Sequence, residues 1–146
     1  MRRLRVLVLL HPDLIPPENV VLTKKMRSEK YYNWETEYDV LIGLKNLGHE
    51  VLPFGMSNSL ASLKKLIKNN PPDIIFNLLE EFQGDGRRVS QVVDFLEKEK
   101  IPYTGCNSIG LSLSKDKYRS KKKLKLQGIK VPNSFIFPKG KKIVID

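Results

Sequence analysis

The run Arg5-Val6-Leu7-Val8-Leu9-Leu10-His11 decides the fold. It is leucine- and valine-rich and lacks the polar alternation of a strand that faces water on one side. It therefore reads as a strand buried on both faces. Such a strand belongs to a parallel sheet covered by helices above and below, and the downstream sequence supplies both kinds of element. Residues 36–47 place Tyr38, Leu41, Ile42 and, more loosely, Leu44 and Leu47 at helical spacing, and Gly48 ends that helix. Residues 49–54 form a second strand. Ser59 is placed to cap a helix to about Asn69, with Leu60, Leu63, Leu66 and Ile67 on one face and Lys64, Lys65 and Lys68 on the other. Pro71-Pro72 stops it, residues 73–78 form a third buried strand, and a helix bearing Val89, Val92, Val93 and Leu96 follows. Ile101-Pro102-Tyr103-Thr104-Gly105 is a short fourth strand with a turn. The alternation predicts an α/β fold: an open, parallel, four-stranded sheet flanked by helices, with right-handed crossovers.

Two segments break the rhythm. Residues 12–33 carry Pro16-Pro17 and mixed charges and read as one long loop, a length usually associated with function or mobility. Trp34, Tyr31 and Tyr32 are placed to pack this loop onto the body, the alternative being a mobile lid. Beyond Gly105, Asn107 or Ser108 caps a short helix over 109–113, and Ser114 or Asp116 caps a longer one ending at Gly128. Residues 129–137 look extended, 140–142 form a turn, and 143–145 begin another strand. The expected division is residues 1–106 as an α/β domain and 107–146 as a helical connection with the incomplete start of a second domain.

Charge marks the same division. The 146 residues carry 26 Lys+Arg and 16 Asp+Glu, a net of +10. Residues 1–113 are nearly neutral, with 15 basic and 14 acidic side chains, whereas residues 114–142 hold 11 basic residues and only Asp116 as an acid. A positive field of that kind attracts anions, whether a nucleotide phosphate, nucleic acid or an acidic partner.

Composition excludes several classes. One cysteine, Cys106, rules out an internal disulfide framework or a Cys-rich zinc site. The five apolar residues after the basic start are fewer than the roughly 7–15 of an export signal, and nothing approaches the ~20 of a membrane span. A cytoplasmic protein without membrane contact is expected. Lys115 to Lys123 include one tyrosine and no glycine-rich RNA motif, so a nucleic-acid partner is not expected.

Ligands of an open parallel sheet gather beyond the carboxyl ends of its strands. His11 ends the first strand, where it can bind or transfer a proton or simply hydrogen-bond a loop. After the third strand comes Glu80-Glu81-Phe82-Gln83-Gly84-Asp85-Gly86. There the glycines permit close backbone approach, the following helix N-terminus favours anions, and Glu80 and Glu81 favour an amine or a metal. His49 reads as structural, and Cys106 has no adjacent base to make it a nucleophile.

Taken in order, Ile74-Ile75-Phe76-Asn77-Leu78, Gly84-Asp85-Gly86, Ile101-Pro102-Tyr103-Thr104-Gly105, Ser114-Lys115-Asp116-Lys117 with Ser120-Lys121, and Gly128-Ile129-Lys130-Val131-Pro132 form a series. The series resembles the N-terminal part of D-alanine–D-alanine ligases and their relatives in the ATP-grasp superfamily, from Arg5 to about Lys142. The resemblance implies a Rossmann-like pre-ATP-grasp domain followed by the start of an ATP-grasp domain. It implies an ATP-dependent carboxylate–amine ligase, in which a phosphorylated carboxylate is attacked by an amine. It further implies ATP and Mg²⁺ for the full-length protein, an amino or carboxylic acid as substrate, and a homodimer by analogy. Lys117 falls on the family's Asp-Lys motif, whose lysine approaches the nucleotide; Asp116 orients it.

Two departures stand out. Glu80-Glu81 replaces the His-Gly pair of the D-alanine ligases, and His11-Pro12-Asp13 with Pro16-Pro17 replaces a glycine/serine-rich loop, leaving Glu18 as a loose counterpart of its glutamate. His11, Glu18, Glu80, Glu81 and Gly84 are the candidate substrate residues. The resemblance leaves the remaining nucleotide-clamping sheets, the acidic Mg²⁺ ligands and the arginine of acyl-phosphate chemistry unaccounted for. Inactivity of the chain alone and no tight ATP binding are therefore expected. The alternatives are a free-standing module that uses its basic segment to bind nucleic acid or an acidic partner, and a non-catalytic nucleotide- or metabolite-binding remnant of the ligase fold.

Overall fold

The structure, a computed structural model, describes residues 2–140. The elements are β1 (Arg5–Leu10), α1 (Lys24–Glu29), α2 (Glu35–Asn46), β2 (Glu50–Gly55), α3 (Leu60–Asn69), β3 (Ile74–Asn77), α4 (Val89–Lys98), α5 (Ser108–Ser114) and α6 (Lys117–Leu126). The expected turn at 140–142 falls largely, and the strand at 143–145 wholly, outside the described residues.

The sheet is parallel throughout, in the order β2-β1-β3. β1 lies in the middle, with Leu7 opposite Leu52 on one side and Ile75 on the other. Its side chains alternate between two apolar layers, as the period of two in a strand demands. Leu7 and Leu9 pack with Leu63 of α3, Ile75 of β3 and Val89, Val92 and Leu96 of α4. Val6, Val8 and Leu10 pack on the opposite face with Leu41 of α2. Every β1 residue after Arg5 is buried. This distribution follows from handedness. The crossover from β1 to β2 moves one way along the sheet and that from β2 to β3 moves back past β1, so right-handed connections place α2 and α3 on opposite faces.

One expectation requires correction: the sheet among the described residues has three strands and not four. Ile101–Gly105 approaches β3 only through a single parallel bridge between Tyr103 and Ile75. The Ile75 N–H donates to the Pro102 carbonyl at 2.8 Å, and the Thr104 N–H donates to the Ile75 carbonyl at 2.9 Å. The pairing stops there for identifiable reasons. Pro102 has no N–H to give to a ladder. The next β3 donor, the Asn77 N–H, is taken by the Thr104 hydroxyl at 3.0 Å.

The long segment after β1 is also more ordered than its sequence suggests. Thr23 caps α1 by accepting from the Met26 N–H, and Arg27 of α1 holds both Glu35 and Asp39 of α2, the latter with both guanidinium ends. Leu22 is buried, and its N–H donates to the Tyr38 hydroxyl at 3.0 Å. The Trp34 ring lies 4.9 Å from that of Tyr32 and 6.1 Å from that of Tyr38, so these rings do pack the segment onto α2; Tyr31, 83% exposed, does not. α1 escapes sequence reading because Lys-Lys-Met-Arg-Ser-Glu has no apolar face.

Asn107 and Asp116 are the caps of α5 and α6, accepting from the Gly110 and Arg119 N–H groups at 2.7 and 2.9 Å. Glu97 of α4 holds α5 in place by accepting from the Tyr103 hydroxyl at 2.9 Å and the Ser108 hydroxyl at 2.5 Å. Those two donors stabilise the carboxylate and keep Glu97 below its ordinary value, Ser108 contributing most. α6 buries no residue, and residues 129–138 form neither helix nor strand. No helix among the described residues is long and apolar enough to cross a membrane.

Candidate functional site

Strand order reverses between β1 and β3, so the loops leaving their carboxyl ends diverge and open a crevice there. After β1, His11 folds back over a short 3₁₀ turn: its Nδ1 accepts from the Asp13 N–H at 3.3 Å, with Pro12 at the first helical position. On the other side of the ring, Nε2 faces Glu81 Oε1 at 3.5 Å. The ring is thus oriented between two loops, Asp13 on its own and Glu81 on the other.

After β3, the Asn77 side chain accepts from the Leu79 N–H at 3.2 Å and turns the chain. Buried Leu79 and Phe82 anchor the loop, while Glu80 and Glu81 between them remain exposed. Phe82 and Asp85 exchange both backbone hydrogen bonds at 3.2 Å around Gln83 and Gly84, whose φ values are +55° and +71°. Two consecutive positive φ values make this a tight turn of the I′ kind, which suits glycine and strains glutamine. Asp85 then caps the next turn and pairs with Arg87, which holds its carboxyl below the usual carboxylate range. Gly86 follows at a point of close approach. A Cβ there would stand 3.1 Å from the Glu80 carbonyl oxygen and 3.4 Å from Lys115 Nζ. Glycine at 86 lets the loop and the amine of Lys115 close on one another.

The result is an open cleft of about 730 Å³ at the β1/β3 switch. Its floor is Leu78, Leu79, Val89 and Leu111; its polar groups are His11, Asp13, Asn33, Glu80, Glu81 and Lys115. Three of the residues singled out from the sequence, His11, Glu80 and Glu81, meet here. Gly84 does not line the cleft, being at the outer tip of its turn, and Glu18 lies exposed beside a second turn at Asn19. Lys117 occupies the first turn of α6, exposed and outside the cleft. Asp13, Asn33 and Lys115 were not singled out from the sequence, whereas Gly86 was, as a glycine permitting close backbone approach. Gly86 and Lys115 sit within the quoted strings, but only the close approach at Gly86 reveals that they touch. Among the described residues no three His, Cys, Asp or Glu side chains converge closely enough to hold a metal ion.

No family model matches this chain. It is 34% identical over 109 residues to the uncharacterized protein y4sG of Sinorhizobium fredii, covering 69% of this chain and 31% of that protein. It is 32% identical to the D-alanine–D-alanine ligase of Aquifex aeolicus, covering 78% of this chain and 37% of the enzyme. The fold matches that of the D-alanine–D-alanine ligase from Bacillus anthracis solved with ATP, with a TM-score of 0.67 over 98% of this chain and 43% of that one, at 22% identity. The chain thus spans 31–43% of the length of these proteins. In sequence and in fold it is D-alanine–D-alanine ligase-like, and it corresponds to the N-terminal portion of that family.

Proposed function

We propose that this chain is the substrate-holding N-terminal portion of an ATP-dependent carboxylate–amine ligase of the ATP-grasp superfamily. The observation that carries the reading is the cleft at the β1/β3 switch, in a fold shared with D-alanine–D-alanine ligase, where His11 is oriented and carboxylates face a lysine. Residues 1–106 form the substrate-side domain, and 107–146 lead into the nucleotide-clamping domain. In this scheme Glu80 and Glu81 receive the ammonium group of an amino acid and His11 positions Glu81 through its Nε2–H. The apolar floor excludes water from beneath the bound molecule.

In this reading the chain supplies only part of a nucleotide site. Lys117 is a single exposed amine, positioned by Asp116 at the start of α6, and no carboxylate set suited to Mg²⁺ accompanies it among the described residues. ATP, when bound to the full-length ligase, supplies the phosphoryl group that activates a carboxylate. Lys117 contributes a point charge toward the phosphates, and the rest of the clamp comes from other parts of the protein.

Two measurements test this. Titration of the 146-residue chain with ATP and Mg²⁺ yields affinity weaker than millimolar, since one exposed lysine does not enclose a triphosphate; micromolar binding overturns the division of labour. In a full-length protein containing this chain, ADP is released only when an amino acid is supplied. Amino-acid-independent turnover, or none with any amino acid, overturns the ligase reading.

A further inference from the structure

The charges that line the cleft do not cancel. Asp13, Glu80 and Glu81 supply three carboxylates, against which the cleft sets one ammonium, that of Lys115. Lys115 pairs with no carboxylate among the described residues, and its amine lies beside Gly86, 3.4 Å from where a Cβ would stand there. Glu81 and Asp13 have only His11 as a side-chain partner, at 3.5 and 3.7 Å. Nor do the acids chelate: no three of them converge as metal ligands, so they act as separate point charges around an elongated, apolar-floored space.

We propose that this cleft selects an amino acid carrying a second positive charge, a diamino monocarboxylate, and that Lys115 anchors its carboxylate. The proposal rests on the reading of the cleft as a substrate site and names the substrate class. The complement of one cation and three anions is a molecule with one anion and more than one cation. A neutral-side-chain amino acid satisfies Lys115 and one carboxylate and brings no cation to the other two. A dicarboxylic amino acid adds like charge to them, which is penalised at these separations. A diamino acid places its α-carboxylate at Lys115, its α-ammonium at Glu80 or Glu81, and its distal ammonium at one of the two remaining acids. The aliphatic stem lies on Leu78, Leu79 and Val89.

The test follows the backbone amide signals of residues 80–86 in the folded 146-residue chain at low ionic strength. Ornithine, alanine, glutamate and 1,4-diaminobutane (which lacks the carboxylate) are added separately. Ornithine binds at least about fivefold more tightly than alanine, the size of one exposed ion pair, and glutamate leaves the signals unmoved. In Lys115→Met, affinity for ornithine falls about fivefold while that for 1,4-diaminobutane, which loses only a like-charge neighbour, does not fall. Equal binding of ornithine and alanine, or an equal loss for both ornithine and the diamine in Lys115→Met, overturns the substrate class or the anchor while leaving the cleft as a substrate site. If no compound moves these signals in a chain whose spectrum shows it folded, the substrate-site reading falls and the proposal falls with it.

Discussion

Residues 5–106 and residues 117–140 bury their apolar side chains to opposite extents. In the first region Val8, Leu9, Leu10, Leu63, Ile75, Val92, Val93 and Leu96 are fully enclosed, and the charges nearly cancel. In the second, α6 buries nothing, Leu126 and Phe135 are 76% and 77% exposed, and Ile136 and Phe137 are exposed as well. The difference lies in what each can cover. β1 receives a helix layer on each face, whereas α6 and the segment after it have an apolar content but no second layer to meet among the described residues. A region with a closed core keeps its shape by itself; one without relies on local capping and on its junction to the first.

The contrast breaks most readily at its centre. Leu9→Ala removes a side chain packed on all sides and destabilises the fold by about 3–4 kcal/mol, read as a shift in urea midpoint; a loss under ~1 kcal/mol would mean that the core is loosely packed. At the junction, Asn107→Ala deletes the acceptor for the Gly110 N–H and costs about 1 kcal/mol, with faster amide exchange confined to α5. If exchange rises equally in β1, the junction and the core are one cooperative unit.

The Glu97 contact sharpens the boundary between the regions through pH. Its carboxyl is held below its ordinary value by Ser108 and Tyr103, so the folded state binds a proton less readily than the unfolded one. The resulting stabilisation is complete above the unfolded-state value of about 4.5 and is lost as pH falls through the lower folded-state value. The Ser108 amide signal therefore moves with a midpoint below that of an ordinary glutamate, and Glu97→Gln abolishes this titration. The smallest effect belongs to α6. Lys117→Ala leaves the urea midpoint of the chain within about 0.5 kcal/mol, because the side chain is exposed, while a full-length ligase loses affinity for ATP. Unfolding by this substitution would make Lys117 structural.

Much of the fold was legible because its signals are local. The apolar run at Val6–Leu10, the cap at Ser59, the stop at Pro71-Pro72 and the valine spacing of α4 each act through neighbours in the chain. The fourth strand misled because Ile101 and Tyr103 carry strand propensity while Pro102 withholds the donor that a ladder needs. α1 was invisible because its order comes from Arg27 bonding to Glu35 and Asp39, partners on another helix.

The site divides in the same way. Residues that end a strand announce themselves, and so His11, Glu80 and Glu81 were found from sequence alone. Lys115 lies 29 residues beyond Gly86 and shares no local pattern with it. What the sequence by itself determined is therefore the order of the elements, the doubly covered strand at the centre and the loops that lie at the carboxyl edge. Only the tertiary structure decided which side chains share the cleft, and that three acids there face a single lysine. Patterning records which residues avoid water, whereas juxtaposition across the sheet depends on how separate elements pack, and no short stretch of sequence encodes that distance.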